Sequence, residues 1–299
     1  MSIQSTQSTA SDTSAAPVLS ETLSLGPVHI VVTDLERSIG FYETAIGLQL
    51  TSRDEGTAHL NTGAGTDDVL VLHERTDATR ASRHAGLYHF ALLFPTYNDL
   101  ARAARRLAET RTPIQGASNH GISWAIYLPD PDGNGIELAA DQPRENWGDL
   151  RDPKAIGPRP LDLTALLDAV AHEESSPHAD RDTVVGHLHL HVGDVEEGLA
   201  FYRDLLGFEV QTLFEGAAFV SAGGYHHHLG FNTWRGEGVP PAPADAVGLD
   251  HWTVRIPAAD IEALRERAEA AEVPVENLGG GGVQLRDPWG IAVVFEPAG

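Results

Sequence analysis

The 299-residue chain contains no cysteine, a single lysine (Lys154) and no long uninterrupted apolar run. The absence of cysteine excludes disulfides, thiolate metal sites and a catalytic thiol, so any bound metal must use His, Asp or Glu. A membrane span needs roughly 20 consecutive apolar residues. Because the chain lacks such a run and has no signal-peptide pattern at its start, we expect no membrane association and a cytoplasmic location.

Positive charge is also scarce. Lys and Arg total 20 against 43 Asp and Glu, which gives a net charge of −23. This balance disfavours nucleic acids and anionic membranes as partners. An acidic surface almost free of lysine further predicts a halophilic, salt-adapted protein. The length and the 41% apolar content are sufficient for two domains, each with its own core.

The sequence contains an internal repeat. Five residues of the first half recur at a constant offset of 160: His29, Asp34, Phe41, Tyr42 and Gly47 match His189, Asp194, Phe201, Tyr202 and Gly207. Further along, Gly86-Leu87-Tyr88-His89 matches Gly248-Leu249-Asp250-His251. The repeat therefore indicates a duplicated domain.

Each half contains two units of the same pattern. In the first, a β-rich run at 28–33 precedes a helical spacing that begins behind Asp34, a good N-cap residue, and three short strand candidates follow. The pattern restarts with a strand at 88–94 and a helix near 96–109. The sequence therefore predicts an α+β fold of four βαβββ units.

Composition also suggests boundaries. We expect a disordered tail over residues 1–23, because it is rich in Ser and Thr and has no apolar periodicity. Residues 24–140 are then the N-terminal domain and 184–299 the C-terminal domain. The proline-rich segment 141–183 between them is predicted to be a linker with one short helix near 161–171.

Three residues at related positions of the first half could bind a metal. His29 lies in the first strand of unit one, His89 in the first strand of unit two, and Glu137 in the last strand of unit two. If paired units face each other, these residues share one surface. Two imidazoles and a carboxylate suit Fe(II), with Mn(II), Ni(II) or Zn(II) as alternatives. The structural alternative is that they are hydrogen-bonded strand residues.

A motif in unit two resembles a known family. Residues 120–137 contain, in order, His120, Ile126-Tyr127, Asp130-Pro131-Asp132-Gly133 and Glu137. This order resembles the signature of the type I extradiol, catechol-2,3-dioxygenase-like branch of the vicinal-oxygen-chelate (glyoxalase, bleomycin-resistance and extradiol dioxygenase) superfamily. The resemblance covers about residues 24–299. It implies that the four units pair into two vicinal-oxygen-chelate domains with open, cupped sheets.

The resemblance also implies roles for individual residues. His29, His89 and Glu137 match the iron ligands, His73 lies near the family's acid/base histidine, and His120 and Tyr127 match its pair beside the substrate. The implied reaction is Fe(II)-dependent cleavage of catechol or a substituted catechol by dioxygen, giving a muconic-semialdehyde-type product. Mn(II) is the alternative metal, and a homo-oligomer is expected. The structural alternatives are that His73 is a strand-end surface residue, His120 a loop residue and Tyr127 a core residue.

Two other functions remain open at this point: a glyoxalase-like metal-dependent isomerase or lyase, and a non-catalytic small-molecule binding module of the same fold. The C-terminal domain is predicted to be metal-free, because Val294 stands where Glu137 would be. A second site made of His189, His251 and Glu296 stays an alternative. The alternating His187, His189 and His191 and the cluster His226-His227-His228 are interpreted as cavity or interface lining, with a second metal site there as the alternative.

Overall fold

The computed structural model describes residues 18–152, 154 and 156–299. Most of the predicted disordered tail, residues 1–17, lies outside this part. The end of that prediction is wrong, because Leu19 and Leu23 are only 2% and 7% exposed. The N–H of Leu19 also donates to the carbonyl of Gly207 at 2.8 Å. Apolar side chains that reach the core order this segment despite its polar composition.

The first two units have the predicted βαβββ order. The bounds of the first unit are β1 Ser24–Val32, α1 Leu35–Phe41, β2 Gln49–Asp54, β3 Thr57–Asn61 and β4 Asp68–Glu74. After a two-residue strand, β5 Thr79–Arg80, the second unit has the bounds β6 Gly86–Phe94, α2 Tyr97–Glu109, β7 Gly116–Asn119, β8 Ser123–Pro129 and β9 Gly135–Asp141. The connecting segment then contains a 3₁₀ turn at Arg144–Asn146, the short strand β10 Arg159–Pro160 and the helix α3 Leu163–Asp168.

The last two units repeat the order. The third has the bounds β11 Val184–His191, α4 Val195–Leu199, β12 Glu209–Phe214, β13 Ala217–Ser221 and β14 Leu229–Asn232. The fourth has the bounds β15 Ala246–Ile256, α5 Ala258–Ala270, β16 Glu276–Asn277, a 3₁₀ turn at Gly279–Gly281, β17 Val283–Arg286 and β18 Ala292–Pro297. None of the described helices is long and apolar enough to cross a membrane.

The first helix of each half forms for the reason that the sequence indicates. The Asp34 carboxylate accepts a hydrogen bond from the N–H of Arg37 at 3.0 Å, which caps α1. Asp194 caps α4 in the same way through Glu197. Both helices continue as a π-helical turn, at 42–46 and at 200–205. In the first half, Gly47 ends the turn with φ of 86°, a left-handed conformation that favours glycine.

The strands form two open nine-stranded sheets. The first has the order β16-β17-β18-β15-β1-β4-β3-β2, with β5 beside β15. The second has the order β10-β7-β8-β9-β6-β11-β14-β13-β12. At the centre of the first sheet β1 runs antiparallel to β15, and at the centre of the second β6 runs antiparallel to β11. Each sheet therefore combines one unit from each half: unit one with unit four, and unit two with unit three.

This pairing changes how the predicted domains are described. The repeats at 24–140 and 184–299 are present as units of sequence, but neither repeat forms a sheet by itself. The predicted linker is the chain that passes from β9 to β11, two strands on either side of β6 in the same sheet. Residues of units two and three therefore meet on one sheet face, whereas residues of units one and two do not.

Each half also contains one buried tyrosine bound to an aspartate. The hydroxyl of Tyr42 donates to Asp130 at 3.1 Å, and that of Tyr202 donates to Asp287 at 2.8 Å. Asp287 also accepts the N–H of Trp289 at 2.9 Å. Burial raises the pKa of Asp287 to about 6, while these hydrogen bonds favour its charged form. The contact ties the first helical segment of each half to the turn before its last strand.

We predict that Tyr202→Phe lowers the free energy of unfolding by about 1–3 kcal/mol, because the buried Asp287 carboxylate loses a donor. The loss should be larger at pH 8 than at pH 4.5, since the hydroxyl favours the carboxylate and Asp287 is protonated well below its raised pKa. Urea unfolding at the two pH values measures this. Tyr97→Phe, whose ring packs against Trp124, is the control and should change stability by less than about 0.5 kcal/mol. Equal effects of the two substitutions would contradict the role of the contact.

Candidate metal centre

Three buried polar side chains converge on one face of the second sheet. Nε2 of His89 lies 3.0 Å from Oε2 of Glu137, and Nε2 of His187 lies 3.1 Å from the same oxygen. One nitrogen or oxygen from each residue lies within 4.8 Å of the other two. In the part of the chain that the structure describes, this is the one group of His, Asp or Glu residues with that geometry.

The strand register explains why these residues meet. Glu137 of β9 lies opposite Ala91 of β6, and Ala91 lies opposite His187 of β11. His89 is two residues before Ala91 and so points to the same sheet face. The methyl group of Ala91 is fully buried between Glu137 and His187. A small side chain at this position leaves the space between the three polar groups open.

A glycine brings β9 close to β6. A Cβ atom on Gly135 would lie 1.9 Å from the backbone oxygen of Tyr88. No side chain fits at this distance, so the close approach requires glycine. Gly135 is two residues before Glu137, and Tyr88 directly precedes His89. The contact therefore helps to set the position of both functional side chains.

The electrostatics of the group suit a cation. Burial alone would raise the pKa of Glu137, but His187 and His89 outweigh burial and hold this pKa well below its usual value. Burial lowers the pKa of His89, although its hydrogen bond to Glu137 opposes the shift. The group is thus an anionic carboxylate beside a neutral imidazole. Metal ions require both ligand types in these protonation states.

The donor set fits a divalent transition metal. Two imidazole nitrogens and one carboxylate oxygen form the facial set that leaves further coordination positions open for other ligands. A buried carboxylate next to neutral groups is costly unless a cation compensates it. The sequence provides no thiolate, so the ligands are of the N and O type. His89, Glu137 and His187 can therefore hold one metal ion with open positions.

Tyr127 and His120 lie beside this group. Tyr127 of β8 is opposite Glu137 in the sheet, and its hydroxyl lies 2.8 Å from Nε2 of His120. Burial raises the pKa of Tyr127 well above 10, and the charge of Glu137 adds to the shift. Burial lowers the pKa of His120. Near pH 7 the pair therefore consists of a protonated phenol and a neutral imidazole.

Two further histidines border the group on the side of the third unit. The ring centroid of His227 is 4.1 Å from that of His187, and the Phe219 ring packs edge-on against His227 at 5.0 Å. His226 bonds through Nε2 to Asp141 at 2.8 Å. Burial is the largest cause that lowers the pKa of His227 well below its ordinary value. His227 is thus a neutral imidazole next to one of the three converging residues.

Four of the six residues that the sequence predicts for the site are brought together. These are His89, Glu137, His120 and Tyr127. Their chemical roles stay predictions. The other two, His29 and His73, lie elsewhere: Nδ1 of His29 is 3.0 Å from Nε2 of His73, in the first sheet.

The geometry corrects the assignment of His29 as the third ligand. Its strand, β1, pairs with β15, so His29 lies opposite His251 and stacks on it with ring centroids 3.8 Å apart. Strand β6, which carries His89, pairs instead with β11. The third imidazole beside Glu137 is therefore that of His187. The assignment of His73 as acid/base residue is corrected for the same reason, since β4 is a strand of the first sheet.

The sequence did not predict that His187 and His227 lie with His89 and Glu137. The repeat offset of 160 matches His29 with His189, and places Pro27 at the position of His187. The available signal was the alternation of His187, His189 and His191, because alternate residues of a strand share one face. The cross-strand register selects His187, since it is the one placed opposite Ala91.

The alternative second site is not assembled. His189 lies in the second sheet, where its Nε2 is 2.8 Å from the amide nitrogen of Asn232. His251 lies in the first sheet and bonds to Asp250 at 2.9 Å. Glu296 is half exposed, 3.8 Å from Arg255. The three residues therefore have different neighbours and do not form one site.

Comparisons with known proteins agree with the fold and the repeat. The family model described as Glyoxalase/Bleomycin resistance protein/Dioxygenase superfamily matches residues 24–138 and 184–295. Catechol-2,3-dioxygenase of Bacillus subtilis (strain 168) is 40% identical over 259 residues, which are 85% of this chain and 90% of that protein. Biphenyl-2,3-diol 1,2-dioxygenase 3 of Rhodococcus globerulus is 35% identical over 123 residues, covering 38% of this chain and 58% of that protein.

Solved structures show the same architecture at low identity. Glyoxalase I of Zea mays superposes with a TM-score of 0.56 at 18% identity, covering 91% of this chain and 92% of the other. The cppA protein of Streptococcus pneumoniae TIGR4 superposes with a TM-score of 0.57 at 12% identity, covering 92% of this chain and all (100%) of the other. These likenesses concern the fold.

We predict that His187→Ala lowers metal affinity at least about 100-fold, because it removes one of the three converging donors. His29→Ala is the matched control, since it removes an imidazole from the other sheet, and it should leave affinity within about threefold. Equilibrium titration of the chelated protein with Fe(II) or Mn(II) measures both. If His29→Ala, and not His187→Ala, abolished binding, the centre would lie in the first sheet.

Proposed function

The chain belongs to the Glyoxalase/Bleomycin resistance protein/Dioxygenase superfamily, and from that premise we propose that His89, Glu137 and His187 bind one Fe(II) ion. Its similarity to Bacillus subtilis catechol-2,3-dioxygenase over most of both chains makes the protein an extradiol dioxygenase. The proposed reaction is cleavage of the ring of catechol, or of a substituted catechol, beside its two hydroxyl groups by dioxygen. The muconic-semialdehyde-type product follows from that cleavage.

The observation that carries the proposal is the convergence of three donors on one sheet face. Two imidazoles and one carboxylate meet at Oε2 of Glu137 within hydrogen-bond distance. A set of three protein ligands leaves room for both oxygens of a catechol and for dioxygen. The alternative function, a glyoxalase-type isomerase, would use a second carboxylate as a metal ligand. Among the described residues, the converging group holds one carboxylate.

The metal, when bound, supplies the electron transfer that lets triplet dioxygen react with an organic substrate, which no protein side chain provides. The carboxylate of Glu137 contributes one negative charge, and His89 contributes none, because burial lowers the pKa of its imidazole. Such a set favours a divalent ion without neutralising it fully. Mn(II) fits the same ligands.

The surrounding side chains have the properties that proton transfer requires. A catechol that binds through both oxygens loses at least one proton, and a neutral imidazole can accept it. We assign this function to His227, whose ring lies 4.1 Å from that of His187. To Tyr127 and His120, joined by a 2.8 Å hydrogen bond, we assign the orientation of a substrate oxygen and the return of a proton to it.

Aromatic side chains lie next to the centre. Tyr88 is tilted against His89 at 4.8 Å between ring centroids, and Trp234 meets Tyr88 edge-on at 5.7 Å. Both are exposed, at 40% and 57%. A flat aromatic substrate gains contact area and ring-edge interactions on such a surface. This lining supports an aromatic diol as substrate.

We predict oxygen uptake and a yellow product when the protein, loaded anaerobically with Fe(II), receives catechol. Uptake should stop after chelation and return when Fe(II) is restored. His187→Ala should abolish it, and His29→Ala should retain it. Absence of uptake with catechol and with alkyl- or aryl-substituted catechols, in protein verified to hold iron, would contradict the proposal. Activity restored only by Mn(II) would reassign the metal.

We further predict that Tyr127→Phe keeps iron affinity within about threefold but lowers kcat by about 10²–10⁴-fold, the usual contribution of a positioned proton donor. Tyr97→Phe, remote from the centre on α2, serves as the control. Single-turnover kinetics together with iron titration separate the two effects. If Tyr127→Phe lost iron to the same degree as His187→Ala, Tyr127 would be a structural support of the centre instead.

A further inference from the structure

We infer that the cavity between the two sheets is a binding site for a small dianion that carries carboxylate or phosphate oxygens. The cavity has a volume of about 480 Å³, within the range of small-molecule sites. It lies where β1, β6 and β15 come together, lined in part by Val31, Gly86 and Gly248. It is distinct from the candidate metal centre, none of whose three residues line it.

Four arginines line this cavity: Arg75, Arg80, Arg235 and Arg286. They are a fifth of the 20 basic residues of a chain whose net charge is −23. These side chains therefore converge on one cavity from four parts of the chain: unit one, the segment after it, unit three and unit four. The overall acidic composition does not predict such a local excess of positive charge.

Three of these guanidinium groups hydrogen-bond to backbone carbonyl groups rather than to carboxylates within the described part of the chain. Arg80 donates to the carbonyl of Pro131 at 3.2 Å, Arg235 to that of His84 at 3.1 Å, and Arg286 to that of Gly290 at 2.9 Å. Each guanidinium has five N–H groups in a rigid fork. Carbonyl contacts hold the side chains in position and leave further N–H groups for a ligand.

The carboxylates of the lining are already paired. Asp250 binds Arg75 at 2.9 Å and His251 at 2.9 Å. Asp132 binds Arg37, which lies outside the lining, at 2.7 Å. Four arginines against two aspartates leave the lining with a net charge of +2. Burial also lowers the pKa of Arg235 without a compensating acid.

These observations define the ligand class. Two excess positive charges match a dianion, and guanidinium forks bind carboxylate or phosphate oxygens through paired hydrogen bonds. A monoanion would leave one charge uncompensated. The general field of a protein with charge −23 repels anions, so binding requires these specific contacts.

Calorimetric titration of the full chain at low ionic strength tests the inference, with inorganic phosphate and succinate as separate probes and acetate as the monoanion. We expect one equivalent of phosphate or succinate to bind, and Arg80→Gln and Arg286→Gln each to weaken binding at least about tenfold. Arg203→Gln is the matched control: it removes the same charge from an exposed arginine paired with Asp204 and should leave the dissociation constant unchanged.

Two further measurements keep the result specific. Binding should persist in the chelated protein and in His187→Ala, because the cavity does not use the metal centre. Thermal unfolding without ligand shows whether each variant is folded, and Arg235→Gln replaces any that is not. Binding of phosphate alone or of succinate alone supports the site and identifies the oxyanion. No binding of either, loss in His187→Ala, or equal loss in Arg203→Gln would overturn the inference.

Discussion

The antiparallel pairing of β6 with β11 is the constraint on which the candidate centre depends. It places His187 opposite Ala91, and the parallel pairing of β6 with β9 places Glu137 on the other side of the same alanine. A slip of one residue in either pairing would turn one of these side chains to the opposite face. Backbone hydrogen bonds of the sheet thus hold the donors in position before any ion binds.

The second constraint is electrostatic. The centre buries an anionic carboxylate beside the imidazole of His89, whose burial lowers its pKa and keeps it neutral, an arrangement that is unfavourable without a cation. The same burial keeps Tyr127 protonated next to the carboxylate. The buried charge therefore lowers the stability of the folded protein locally, and the same environment keeps the ligands and the proton donor in reactive protonation states. Such an arrangement is typical of functional sites.

The two sheets show how one architecture keeps or loses such a centre. In the first sheet His29 faces His251, just as His189 faces His89 in the second. The positions equivalent to His187 and Glu137 are occupied there by Pro27 and Val294, which offer no ligand. The remaining histidines satisfy one another and Asp250 through hydrogen bonds and stacking. Between the sheets, the arginine-lined cavity uses surfaces that exist only because units from both halves meet.

Much of this protein follows from the sequence by itself. Asp34 and Asp194 mark helix starts, the offset of 160 reveals the repeat, and the motif from His120 to Glu137 contains three of the residues that the structure brings together. These signals are local: capping, periodicity and spacing act within one unit.

The choice of which units share a sheet is not local, because each unit presents an open strand edge that any other first strand could join. That choice separated His29 from Glu137 and brought in His187. Only the tertiary structure could decide it, since the register between strands roughly 100 residues apart depends on the packing of the whole molecule.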